Sequence, residues 1–350
     1  MDSTYTGAYG RLKGLRQEFL SVDFVEQLEQ KDTDEFVKTL SNTGYRKEID
    51  ELSGLYKEPD LLEVVINAHM MRMSRNSAFA IPPLARNVVA AFLARYDIEN
   101  IKTILSSKKL GYNVDQTETF LMVQRNIPVG IFAGLISRED YTNMIAQKDI
   151  EGVVNYIVKF GYGTALLKYL DDARKGDISK MLMSLDIFYY TRLLEALRFY
   201  VGNEGLLFDF IKGMIDIRNI MTVIKGIEMG DRDVKGFLIK GGDISESKLN
   251  EMAQKQISSL SSYMPFKIDD ALELYKTDPF ASYIETALKR ELYKKYLKLF
   301  NESGISVAQI IGFMLRSEVE RDELRTAWLG KYYKVSKARI DNMKVLKYVV

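Results

Sequence analysis

The sequence predicts an all-α protein assembled from similar helical bundles. Three observations carry that expectation: only six Pro in 350 residues, long stretches with an apolar period near 3.6, and a nine-residue segment written almost twice. In order along the chain, "EPDLLEVVINAHMM" opens with Pro and Asp, then sets Leu61, Leu62, Val65 and Ala68 on one side, as an amphipathic helix begins. "LARNVVAAFLARY" from Leu84 and "YIETALKRELYKKYLKLF" from Tyr283 have the same period. Within the latter, Tyr and Leu mark a packed face and the lysines a solvated one. The best candidate for extended chain is "KGFLIKGGD" from Lys235, a short piece with a Gly-Gly turn.

The duplicated segment is "DIENIKTIL" from Asp97 and "DIRNIMTVI" from Asp216. Upstream, "QKDTDEFVKTLSNTGY" from Gln30 matches "QKDIEGVVNYIVKFGY" from Gln147, and "SVDFVEQL" from Ser21 matches "SREDYTNMI" from Ser137. A weaker third copy places Ser245, Gln254 and "ERDELRTAW" from Glu320 in the same order. Landmarks that recur in order imply an internal triplication, with helical-bundle units 1–115, 116–231 and 232–350. Three such bundles fit either a pseudo-threefold body or a curved row.

Ser21 and Ser137 precede apolar-periodic runs and read as helix N-caps. Asp97 and Asp216 are expected to cap helices whose first turns hold Asn100 and Asn219, with Glu320 and Glu323 at the matching places in the third copy. These six residues serve either as repeated caps or as contacts to a partner. Thr103, Thr222 and Thr326 recur at one position, which suggests packing or a helix-to-helix hydrogen bond. "KKLGY" and "EMGD" end two of the helices at glycine.

Composition excludes several function classes. There is no Cys, so neither disulfides nor thiolate metal sites can form. With no signal-like N-terminus, a reducing cytoplasm is the expected compartment. Lys and Arg number 49 against 48 Asp and Glu, so no bulk attraction to nucleic acid or anionic lipid is indicated. "VVAAFLA" from Val88 is far short of the ~20 apolar residues that a membrane span needs. The single His69 is expected to be a satisfied, partly buried residue, and zinc, haem-type or Ser-His-Asp chemistry lacks its usual groups. No P-loop is present, and "GYGTAL" from Gly161 reads as a helix boundary. Asp269 and Asp270 in "DDALE" suggest a Mg²⁺–diphosphate helix, against the simpler placement of two acids in a helix's first turn. No catalytic residue, metal ligand, cofactor or small-molecule substrate is assigned.

In this order the motifs resemble one family, the C subunits of the archaeal and bacterial A/V-type ATP synthases, related to the d subunit of the vacuolar proton pump. The residues that carry it are "YGRLKGLRQEFL" from Tyr9, "YDIENIKTILSSKKLG", "IDIRNIMTVIKGIEMG", "FLIKGGDIS" and "SEVERDELRTAWLGKYYKV". Glu323 departs from the Asn often found there, and puts any partner contact by that Asn in doubt. The resemblance implies a non-catalytic central-stalk subunit, one copy per complex, shaped as a three-domain funnel. It would sit on the cytoplasmic face of the membrane as a peripheral protein, between the rotating shaft and the ion-carrying ring. From another class, a free-standing helical scaffold for a soluble partner would share the composition and the repeats.

Overall fold

Long helices form where the apolar period is sustained and no Pro interrupts it, and Gly213 and Gly312 are carried inside two of them. The computed structural model describes residues 6–78, 81–112, 134–200, 205–303 and 306–349, and among these no strand occurs. The backbone divides into two compact units, Met1–Phe19 with Asp34–Tyr200, and Leu20–Thr33 with Val201–Val350. The expected boundary at residue 115 lies outside the described residues.

The first unit centres on the helices Asp60–Ala78, Arg86–Lys109 and Ser179–Arg198. In Asp60–Ala78, Leu62, Val64, Val65 and Ile66 are all buried, while Ala68 is only half-buried. That helix is therefore enclosed on more than the single side expected of it, with Asn67, His69, Ser74 and Ser77 buried beside its apolar residues. The Arg86–Lys109 helix packs along Ser179–Arg198, where Tyr189 donates to the carbonyl of Phe92 at 3.2 Å and Lys102 meets Asp186 at 2.5 Å. His69 is 1% exposed and stacks on Tyr45 with ring centroids 3.7 Å apart. Its Nδ1 lies 3.1 Å from Arg72, which also binds Glu48 and Glu18. These contacts hold Glu48 below its usual pKa against the opposing effect of burial.

The second unit is built on Gly205–Met229, Ser282–Glu302 and Val307–Tyr332. Phe210 meets Tyr293, Tyr296 and Phe300 at centroid distances of 5.8, 5.6 and 5.5 Å, an aromatic cluster joining the first two helices. Lys294, Lys295 and Lys298 stand on the exposed side, as the period requires. The "KGFLIKGGD" segment forms no strand: Lys235–Phe237 is one 3₁₀ turn, Leu238 is extended and Gly241 turns at φ 105°. The backbone groups of Ile239 pair with a side chain instead of a neighbouring strand.

Candidate functional site

The residues singled out by the repeat lie in the middle of the three longest helices. Asp97 and Asn100 belong to Arg86–Lys109, Asp216 and Asn219 to Gly205–Met229, and Glu320 and Glu323 to Val307–Tyr332. None starts a helix, because the sequence upstream of each continues the helical period without a break. The N-cap expectation for Asp97 and Asp216 is therefore corrected. Their side chains, buried with 0% and 3% exposure, turn away from their own helix toward another part of the chain.

Each carboxylate accepts backbone N–H groups that have no helical partner. Asp97 receives Leu135 N at 2.7 Å, Ile136 N at 3.4 Å, the Tyr141 hydroxyl at 2.7 Å and the Tyr162 hydroxyl at 3.3 Å. Asp216 receives Asp243 N at 3.1 Å and Ile244 N at 3.0 Å. Glu320 receives Leu20 N at 2.8 Å, and Arg316 ties the same spot by donating to the Leu20 carbonyl at 3.0 Å and to Glu320 at 3.2 Å. In every case the next residue is a serine: Ser137, Ser245 and Ser21. Their hydroxyls accept from Asp140 N at 3.2 Å, Lys248 N at 3.3 Å and Phe24 N at 3.2 Å, as expected of N-caps. Carboxylate and serine together fix the entry of the helices Arg138–Ile145, Glu246–Ala253 and Val22–Leu28.

Two glycines make the approach possible. A Cβ on Gly134 would sit 2.1 Å from Asp97 Oδ1, and one on Gly242 2.1 Å from Asp216 Oδ1. Both stand three residues before the capping serine, in "GLIS" and "GDIS". The first copy reads "EFLS", and there the clamp is a glutamate, one methylene longer, so the backbone has no need to come so close. Sequence reasoning missed Gly134 and the close approach at Gly242, which it read only as part of a Gly-Gly turn, and it missed Tyr141, Tyr162 and Arg316. The shared Gly-x-Ile-Ser was the available signal for the first two.

The residues one turn further along do related work. Asn219 donates to the carbonyl of Ile239 and accepts its N–H, both at 2.8 Å, as a strand neighbour would. Glu323 accepts Val345 N at 2.8 Å and Leu346 N at 3.2 Å. Asn100 is buried and reaches the Tyr141 phenol. Thr103 and Thr222 bond back to carbonyls of their own helix, Glu99 and Arg218, each at 3.0 Å, and not across to another helix. Each helix ends on a left-handed residue fourteen positions after its clamp: Gly111, Gly230 and Lys334 (111 − 97, 230 − 216, 334 − 320), with φ of 72°, 75° and 54°. At the two glycines this is the C′ stop expected from the sequence.

Burial sets the electrostatics. It raises the pKa of Asp97, Asp216 and Glu323 above the usual carboxylate range, and the hydrogen bonds they accept pull the other way. Tyr141 and Tyr162 are pushed up by burial and then by the Asp97 charge, so both phenols keep the proton they donate. Asp269 and Asp270 lie in the first turn of Asp269–Thr277, where the helix dipole favours them. Among the described residues, no cluster of three His, Asp or Glu is placed to hold a metal ion. A cavity of about 300 Å³ beside them is lined by Lys267, Glu291 and Arg290. Arg290 already donates to the carbonyls of Asp341, Asn342 and Lys344 and lies over Tyr348 at 4.4 Å. The chemistry visible here is the satisfaction of backbone groups.

A model of the ATP synthase (C/AC39) subunit family matches residues 8–343. The chain belongs to that family. It is similar to the C subunit of the A-type ATP synthase of Thermoplasma volcanium, with 38% identity over 99% of both chains, and to that of Thermoplasma acidophilum, with 41% over 95% of both. The corresponding C subunit of Archaeoglobus fulgidus is 26% identical over 96% of this chain and 94% of its own. The C/AC39 match spans all three clamp helices and the three serine-capped helices that they hold. No helix among the described residues of this family member is long and apolar enough to cross a membrane.

Proposed function

We propose that this chain is the central-stalk subunit of a rotary A-type ATP synthase, coupling the rotating shaft to the membrane ion-translocating ring while ATP is made or hydrolysed at other subunits. The observation that carries this reading is the end-to-end similarity, at 38–41% identity, to proteins named as the C subunit of the A-type ATP synthase. In this reading the chain is non-catalytic, is present once per complex, and sits peripherally at the cytoplasmic face of the membrane. Its three repeat units, 1–115, 116–231 and 232–350, form the walls of a funnel.

The clamp geometry supports the repeat. The same three-part device, a mid-helix carboxylate, a following serine cap and a left-handed stop fourteen residues on, occurs three times. A torque adaptor needs stiff elements whose junctions do not slip, and a buried carboxylate holding two chain segments supplies such a junction. The six candidate residues are then internal fasteners, and shaft and ring are met by other surfaces.

The test is a pull-down from detergent-solubilised membranes of the source cell, with this chain as bait and mass spectrometry as readout. Shaft and ring proteins should be recovered, and should bind again when purified components are mixed. Recovery of soluble proteins alone by a folded bait would replace the central-stalk role with that of a free-standing scaffold.

A further inference from the structure

The corner that follows Val307–Tyr332 differs from the two that match it. Where Gly111 and Gly230 make the left-handed turn, the third helix uses Lys334 at φ 54°. A side chain in that region is strained, and such strain persists where something outside local stability requires the residue. From Tyr332 to Arg339 every residue is exposed. Tyr333 is 65% exposed, and its ring meets Tyr332 edge-on at 5.2 Å. Tyr332 in turn leans on the buried Trp328 at 6.4 Å, so the aromatic pair stands on a rigid base. Val335 adds apolar surface beside them.

Lysines dominate the charge around this apolar centre, the nearby carboxylates being Asp278, taken up by Arg339, and Asp341, which is bonded to Lys344 and also feels Lys337. No acidic residue occurs between Lys331 and Ile340. Arg339 is neutralised by Asp278, at 2.8 and 2.6 Å, but Lys331, Lys334 and Lys337 make no ion pair among the described residues. The helix dipole accounts for a lysine in the last turn. It does not account for a strained Lys334 or for two exposed phenols.

We infer that the Lys331–Arg339 corner is a docking surface for an acidic segment of a partner protein. An aromatic centre with a charged rim is the anatomy of a protein interface, and tyrosine is the residue type enriched at such centres. Recruitment to an anionic membrane relies on about four to eight clustered basic residues or on an inserted apolar helix. Three lysines around two tyrosines fall short of that, so a protein is the better fit. The inference does not rest on the central-stalk reading.

The experiment places a photoreactive benzoylphenylalanine at Tyr333 in the full-length chain, in its own cells, and maps the adducts by mass spectrometry. A cross-link to a protein segment of net negative charge is expected. Its yield should fall about fivefold or more in K331E/K334E/K337E. It should fall about twofold in Lys334→Gly. The melting temperature of Lys334→Gly should be unchanged or higher, which separates lost docking from lost folding. Adducts to lipid alone, to a neutral or basic segment, or at a yield that these variants leave unchanged would overturn the inference. So would a yield no higher than from the same group at the exposed Lys57. If the pull-down finds no shaft or ring while Tyr333 still reaches an acidic segment, the docking surface stands and the stalk reading falls.

Discussion

Asp97 holds four donors in a site with 0% exposure, so its removal does more than delete a cap. Asp97→Ala strands two backbone N–H groups and two phenols, at about 1–3 kcal/mol each before relaxation. The expected loss is at least about 3 kcal/mol in urea unfolding, beyond the roughly 0.5–2 kcal/mol of an ordinary N-cap. A loss inside the capping range would show that the clamp contributes little. Glu58 gives the clearest pH signature. Both of its carboxylate oxygens are buried without a hydrogen bond of good geometry. Burial, only partly offset by the nearby Leu62 N–H and joined by repulsion from Asp34 and Asp60, pushes its pKa up to about 6. A carboxyl raised in the folded state favours folding below its unfolded pKa, and that contribution is lost as pH rises through the folded value. Glu58→Gln, which mimics the protonated form, should therefore gain about 2 kcal/mol at pH 7 and almost nothing at pH 4.5. Urea titrations at the two pH values decide it, and a gain of equal size at both would locate the effect in packing. At Lys334 the left-handed turn predicts a gain of about 0.5–1 kcal/mol for Lys334→Gly, since relief of strain outweighs the greater freedom of the unfolded glycine.

At the scale of elements, the serine caps were legible because capping is local: a Ser, then an apolar period, needs no knowledge of the rest of the chain. The starts of the long helices were not. "VVAAFLARY" and "DIENIKTIL" look like separate pieces, yet they adjoin directly at Tyr96 and Asp97 with no Gly or Pro in either, and one helix runs through both. Asp97 was recognisable as a repeated residue, while its role was hidden because its donors lie 38 to 65 positions downstream. The missing strand has the same cause, since Asn219 supplies from a helix the pairing that a neighbouring strand would have offered Ile239. Gly242→Ala tests the arrangement directly. Its new Cβ would press on the Asp216 carboxylate, and overpacking of this kind costs about 1–3 kcal/mol. Hydrogen exchange should quicken at Asp243, Ile244 and the first turn of Glu246–Ala253, and unchanged exchange there would mean that the loop is not held by Asp216.

At the scale of the whole chain, the all-helical class follows from composition and period, but the assignment of segments to compact units does not. Leu20–Thr33 belongs with residues 201–350 through contacts whose partners are about 300 positions away, a separation at which no sequence period reports. Glu320 and Arg316 grip Leu20 at one end of this segment. At the other, Lys344, only 5% exposed, bonds to Glu29 at 2.5 Å and to Asp341 at 2.7 Å. Lys344→Ala would leave the Glu29 carboxylate buried with neither oxygen paired, because Oε1 already lacks a partner. Breaking a buried ion pair from one side costs about 3–5 kcal/mol, and partial exposure of Glu29 after relaxation should hold the loss to the lower part of that range. Exchange protection should then fall across Leu20–Thr33 and around residues 341–346, while the amides of Arg86–Lys109 in the other unit keep theirs. The separation is measurable because the Asp97 network shares no residue with the Lys344 pair. Equal loss of protection in both regions would mean that the two units open as a single cooperative body, with the Leu20–Thr33 segment joining their stabilities.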